Sequence, residues 1–156
     1  MAKGGLSGPG ECNCLAVRQA ARHITQFYDQ LLAPSGLRTT QFSILARLRQ
    51  LGPMTINELA AQLVTDRTTL GRNILPLGRD GLIAVEPGKH DRRSKTLRLT
   101  EAGAARLRMA SQAWVRAQRQ FETAFGAERT AAMRALLHAV AATDLSAGTA
   151  AIDNPG

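Results

Sequence analysis

The sequence predicts a mainly α-helical chain carrying one small β-hairpin, and three observations predict it. Apolar residues recur at helical spacing through most of the 156 residues. That spacing changes from 3.6 to 2 once, in the stretch after Gly81. Proline and glycine punctuate the rest, at Pro34-Ser35-Gly36, Gly52-Pro53 and Gly126.

The first helix is read over residues 11–32, with Val17, Ala20, Ala21, Ile24, Phe27, Tyr28 and Leu31 on its apolar side. A second spans 39–50 and buries Phe42, Leu45 and Leu48. A third starts at Thr55, where Thr55 and Glu58 have the spacing of a reciprocal capping box. Its buried stripe is Ile56, Leu59, Ala60 and Leu63. Val64-Thr65 forms a turn, and Asp66 caps a fourth helix. That helix turns Leu70, Ile74 and Leu77 inward and Thr65, Thr68, Arg72 and Arg79 outward. Pro76 lacks the amide that would bond the Arg72 carbonyl, so a kink or an early loosening is expected there.

Ile83 and Val85 alternate, as do Leu97 and Leu99, around a charged tip at residues 86–94. Thr100 then caps a long fifth helix. Its Leu107, Ala110, Trp114, Ala117, Phe121 and Ala124 make a coiled-coil-like seam. After Gly126, a sixth helix over 128–144 carries Met133, Leu136, Leu137 and Val140 on one side.

Composition narrows the function. The chain is long enough for one core without staples, and one domain is the default at this length. Its two cysteines, Cys12 and Cys14, make no disulfide framework, and at i and i+2 their side chains diverge. A reducing cytoplasm is the expected compartment. No apolar run approaches the ~18 residues of a spanning helix, so no membrane partner is expected. Residues 1–10 lack the apolar segment of a signal peptide and read as a disordered arm. Residues 146–156 read as a flexible tail. The net charge of +8 favours a polyanionic partner through counterion release. No metal-ligand set is spaced along the chain, no cofactor is implied, and no nucleophile has an identifiable base, so an enzyme is not expected.

The fourth helix and the hairpin carry the chemistry of duplex DNA recognition. Thr65, Arg67, Thr68, Thr69, Arg72 and Asn73 are the candidates for the major groove. Arginine can bond guanine O6 and N7 together, asparagine can pair with adenine, and the threonine methyl can meet a thymine methyl. Arg92 and Lys95 at the hairpin tip suit phosphates. Arg38, Thr39 and Thr40 open the second helix, where free backbone amides can hold a phosphate.

The whole order resembles the MarR family of winged helix-turn-helix regulators over about residues 14–144. The stretch DGLIAVEPGKHDRRSKTLRLTEAG at residues 80–103 carries most of the likeness, through Asp91-x-Arg93 and Leu97-x-Leu99-Thr100-x-x-Gly103. The pair INELAAQL and DRTTLGRNI carries the rest. The resemblance implies a mainly α fold with a small β-wing, dimerised through its N- and C-terminal helices. Residues 11–145 would then be one domain, with dimerisation helices at 11–32 and 101–145 and a winged-helix lobe at 38–100. It implies a homodimer on a pseudo-palindromic operator, a repressor's function, and a ligand cleft between lobe and dimer helices. It also implies that Arg93 enters the minor groove while Asp91 holds its guanidinium.

Arg18, Arg22 and His23 are the candidates for a small aromatic or anionic effector. In the family's organic-hydroperoxide sensors, a reactive cysteine and a tyrosine stand as far apart as Cys14 and Tyr28. A second tyrosine of that pattern is Arg18 here. A peroxide sensor using Cys14 and a non-specific architectural DNA-binding protein are the alternative readings.

Overall fold

The computed structural model describes Gly10 and residues 12–88 and 91–146. The expected arm and tail fall almost wholly outside the described residues, as do Lys89 and His90 of the hairpin tip. Six α-helices and three short strands are described: α1 Asn13–Leu32, α2 Thr39–Leu51, β1 Met54–Thr55, α3 Ile56–Gln62, α4 Arg67–Arg79, β2 Ile83–Pro87, β3 Lys95–Leu99, α5 Glu101–Phe125 and α6 Ala127–Ala142. The sequence places 11–145 in one domain; the contacts divide the chain into two compact units after Ala117.

The first unit is held by one apolar cluster. Leu32, Ile44, Leu45, Leu59, Leu70, Leu77 and Leu97 are each almost wholly buried in it. The positions read as inward on α2, α3 and α4 supply most of these side chains. The helix starts also fall where their capping residues put them. The Thr55 hydroxyl accepts from the Glu58 amide at 3.2 Å, and the Glu58 carboxylate accepts from the Thr55 amide at 2.7 Å. Asp66 accepts from the Thr69 amide at 2.8 Å. Thr100 accepts from the Gly103 amide at 3.0 Å.

The turn between α3 and α4 contains a backbone outlier. Val64 has φ +50°, the left-handed region that a β-branched residue enters only at a cost of about 1–3 kcal/mol. Two hydrogen bonds hold it there: Val64 N to the Ala61 carbonyl at 3.2 Å, and Thr65 N to the Ala60 carbonyl at 3.0 Å.

The early loosening expected at Pro76 does not occur: α4 continues to Arg79, and the Asp80 and Leu82 amides close its end on the Pro76 and Leu77 carbonyls. β1 has no signal in the sequence, because two residues are too few for alternation to register. It pairs antiparallel with β3, Met54 opposite Leu97, and gives the sheet order β1-β3-β2. The expected apolar faces of the terminal helices are largely unburied within this chain. Of the α1 set only Tyr28 is buried, and Val17 is 46% exposed. On α6, Leu136 is 68% and Val140 54% exposed.

The second unit has its own contacts. The Phe121 and Phe125 rings lie 5.5 Å apart, the Arg129 guanidinium stands 4.3 Å over Phe125, and Arg134 pairs with Glu122 at 3.4 Å. Gly126, at φ +99°, breaks the helix as the sequence indicates.

Gly103 sets how α5 meets the sheet. A β-carbon there would fall on the Leu82 carbonyl, which also accepts from the Thr100 amide at 3.2 Å. Gly103→Ala is therefore expected to destabilise the fold by about 1–3 kcal/mol through overpacking. Gly78→Ala in α4 meets nothing within 4 Å and should be neutral or stabilising by up to ~1 kcal/mol. Urea midpoints compare the two; equal midpoints would contradict this account of the α5 junction.

Candidate nucleic-acid interface

The structure sorts the predicted residues into two neighbouring groups. The first surrounds a groove of about 320 Å³ between the hairpin and the starts of α3 and α4. Arg67, Asp91, Arg93 and Lys95 line it, together with Thr55 and Asn57. Arg67, Arg93 and Lys95 are exposed, and among the described residues none of them forms an ion pair. Three cations thus face one groove against a single acid. Arg92 is exposed at the same tip, and Thr68 and Arg72 are exposed on α4.

Asp91 does not hold the Arg93 guanidinium. Its carboxylate accepts from the Arg93 main-chain amide at 2.9 Å, an Asx turn that aims the acid at the backbone. Ser94 completes the turn: its amide and hydroxyl donate to the Asp91 carbonyl at 3.0 and 2.7 Å. Its carbonyl accepts from Gly88 at 2.7 Å. Gly88 is required here, because a β-carbon would strike the Ser94 hydroxyl. Behind the tip, Arg98 bonds Glu86 through two nitrogens at 3.0 and 2.8 Å, tying β3 to β2.

The second group lines a groove of about 320 Å³ between α2 and α4, which brings Thr39, Thr40, Thr65, Thr69 and Asn73 together. Several of these side chains are already engaged. Thr39 donates both its amide and its hydroxyl to Asp29, each at 2.7 Å, so neither proton is free for a phosphate. The Thr40 hydroxyl donates to Asn73 Oδ1 at 3.2 Å, and Asn73 Nδ2 donates to the Thr69 carbonyl at 3.0 Å. Paired reading of an adenine by Asn73 would have to use its second Nδ2 hydrogen and the second lone pair of Oδ1. Thr69 donates its hydroxyl to Asp66 at 2.6 Å. Arg38 is exposed beside the start of α2, with its amide bonded to Gln41 at 3.0 Å.

A third groove, of about 350 Å³, opens between α1, α2 and α5. Tyr28, Phe42 and Trp114 form its aromatic part, with the Phe42 and Trp114 rings stacked 5.9 Å apart. Arg47 is its charged group and reaches Gln50 at 3.1 Å. Sequence spacing gave no reason to separate Arg47 from any solvated arginine. The expected ligand trio lies elsewhere. Arg18 is six residues before Ile24, about 9 Å back along the helix. Arg22 does not line the groove either, and helical periodicity turns His23 away from the face that Ile24, Thr25 and Tyr28 present. All three are exposed.

Cys12 and Cys14 are also exposed, and the Cys12 sulfur caps α1 by accepting from the Leu15 amide at 3.4 Å. Cys14 and Tyr28 share one helix, about 21 Å apart along its axis. A single chain does not bring them together.

Known proteins of the same architecture bear on these grooves. The MarR family model matches residues 37–95, the lobe that holds the first two. The HTH-type transcriptional regulator YwoH of Bacillus subtilis (strain 168) is 35% identical over 85 residues, 54% of this chain and 61% of its own. The chain thus spans about three-fifths of the length of that curated relative. The M. tuberculosis transcriptional regulator MosR is 37% identical, with a TM-score of 0.73, over 85% of this chain and 98% of the MosR chain. The chain belongs to the MarR family. A second MosR structure, solved in complex with DNA, is 38% identical with a TM-score of 0.70 over 85% of this chain and all of that one. MarR-family architecture accounts for the three-strand wing and for the order of the helices around it.

Two capping acids make the lobe sensitive to acid. Glu58 is held below the usual carboxylate range because the Thr55 amide, and then the Thr55 hydroxyl, bond its charged form. Asp66 is lowered by the Thr69 hydroxyl and then the Thr69 amide. A folded value below the unfolded one means that the stabilisation is complete above the unfolded value. It is lost as pH falls through the folded value. The lobe should therefore weaken below about pH 4. Asp66→Asn keeps a capping oxygen but removes the titration, so its stability should change less between neutral and acidic buffer. Urea titrations at both pH values measure this, and parallel profiles for the variant and the parent chain would count against it.

Proposed function

We propose that this chain is a sequence-specific DNA-binding transcriptional regulator acting as a homodimer. The observation that carries the reading is the convergence of Arg67, Arg93 and Lys95, none of them ion-paired among the described residues, on one groove beside the capped start of α4. A basic hairpin beside a helix of this width suits a duplex, with α4 in the major groove and the hairpin in the adjoining minor groove. The MosR complex with DNA supports the partner class. The uncovered apolar faces of α1 and α6 support a second copy as the dimer partner. Two α4 helices would then meet successive major grooves of a pseudo-palindrome, about 34 Å apart. A site overlapping a promoter would make the protein a repressor.

Selection of bound sequences from a random duplex pool tests the reading. Recovery of a two-fold site is expected, and loss of preference over unrelated duplex would favour the architectural alternative. On the selected site, Arg93→Ala should weaken binding by ~1–3 kcal/mol, as measured by fluorescence anisotropy. Unchanged affinity would remove the hairpin from the interface.

The aromatic groove with Arg47 is our candidate for the effector site, and an aromatic carboxylate is its expected occupant. The flat rings of Phe42 and Trp114 suit an aromatic body, and Arg47 suits its charge. Benzoate or salicylate should loosen operator binding, and Arg47→Ala should raise the concentration required by about tenfold or more. Release at the same concentration in both proteins would place the effector elsewhere.

A further inference from the structure

We propose that Asp29 is a positioning residue for DNA recognition, acting from α1 on the seat of α4 through the start of α2. The inference rests on the DNA-binding reading above. Asp29 is half-buried near the end of α1, and its Oδ1 accepts from both the amide and the hydroxyl of Thr39. These bonds fix the first residue of α2. The next residue, Thr40, donates its hydroxyl to Asn73 on α4, 33 positions further along the chain. Asn73 bonds the Thr69 carbonyl, and Thr69 bonds the Asp66 cap. A path of hydrogen bonds, joined by the backbone between Thr39 and Thr40, therefore runs from α1 to the N-terminus of α4. Thr39 also lies in the walls of both the aromatic groove and the groove between α2 and α4, together with Thr25, Ser43 and Leu63.

Charge argues that this acid is not there to attract DNA. A carboxylate at the start of a helix takes up an amide that a phosphate could use, and it repels the phosphates nearby. Its electrostatic effect on DNA is therefore unfavourable for any sequence. Its geometric effect is favourable only where α4 must be seated to read bases. The two effects have opposite signs, and that separates positioning from general stability.

The experiment measures the affinity of the full chain for its selected site and for random duplex at one salt concentration. Asp29→Ala should weaken the selected site about tenfold, the scale of one hydrogen bond to a charged group. Binding to random duplex should stay the same or tighten. Asp29→Asn keeps an acceptor oxygen without the charge and should recover most of the specific affinity. Thr40→Val should reproduce the loss, and the double variant Asp29→Ala/Thr40→Val should lose little more than either alone. If both duplexes weaken by the same factor, Asp29 is merely structural and the proposal falls. It falls equally if neither affinity changes, or if the double variant is additive. Should Asp29→Ala fail to fold, Asp29→Asn and Thr40→Val decide between the same outcomes. A parent chain that does not prefer any site over random duplex overturns the functional reading itself, and this inference with it.

Discussion

A helix as short as α3, with seven residues, has no stability of its own in water. Its first amides must find acceptors, and its apolar side must find a core. This constraint shapes the whole lobe. Each element that faces the candidate interface is fixed at its start by a side-chain oxygen: Thr55 and Glu58 for α3, Asp66 for α4, Asp29 for α2, and Asp91 for the hairpin turn. The apolar cluster sets where these elements lie, and the caps set the direction in which each begins. A base-reading surface needs both, because a helix displaced by a fraction of a turn presents different side chains to the groove.

The same caps explain why so much was legible from sequence. Capping depends on residues three apart, and spacing of that kind survives without any knowledge of tertiary structure. The starts of α3, α4 and α5 were read from such caps, the break at Gly126 from its glycine and the two longer strands from their alternation. Features set by distant contacts were not. β1 exists because β3, some forty residues later, offers it a partner. Arg47 became a candidate ligand only when Tyr28, Phe42 and Trp114 closed around it from three helices. Pro76 was overestimated: local chemistry forecasts a loosened helix, and packing of Ile74 and Leu77 in the core carries α4 past it.

The candidate site shows the same division. Residue type singles out Arg67, Arg93 and Lys95, which are exposed and, among the described residues, form no ion pair, and such a cation needs nothing else to attract a phosphate. Residue type is ambiguous for Thr39, Asn73 and Asp91. Their side chains can bond backbone and neighbours as readily as DNA, and here they do. Short polar side chains at helix starts are ambiguous for that reason. They are as useful inside the protein as at its surface, and only the fold says which use prevails.

Counting bonds already made therefore leaves two sets with different work. Thr39, Thr40, Thr69, Asn73, Asp29, Asp66 and Asp91 form a bonded frame, acidic on balance, that fixes geometry. Arg67, Arg72, Arg92, Arg93 and Lys95 stand outside that frame, without ion-pair partners among the described residues, and carry its positive charge. Affinity drawn from the cations is insensitive to sequence and falls with salt. Discrimination requires that the same cations meet base edges at fixed positions, which the frame alone can enforce. With DNA as the proposed partner, the acids near the interface would weaken attraction to any duplex and, by holding the helix starts rigid, would convert part of a non-specific attraction into a preference. A lobe with the same arginines and a loosened frame would bind DNA and read little of it.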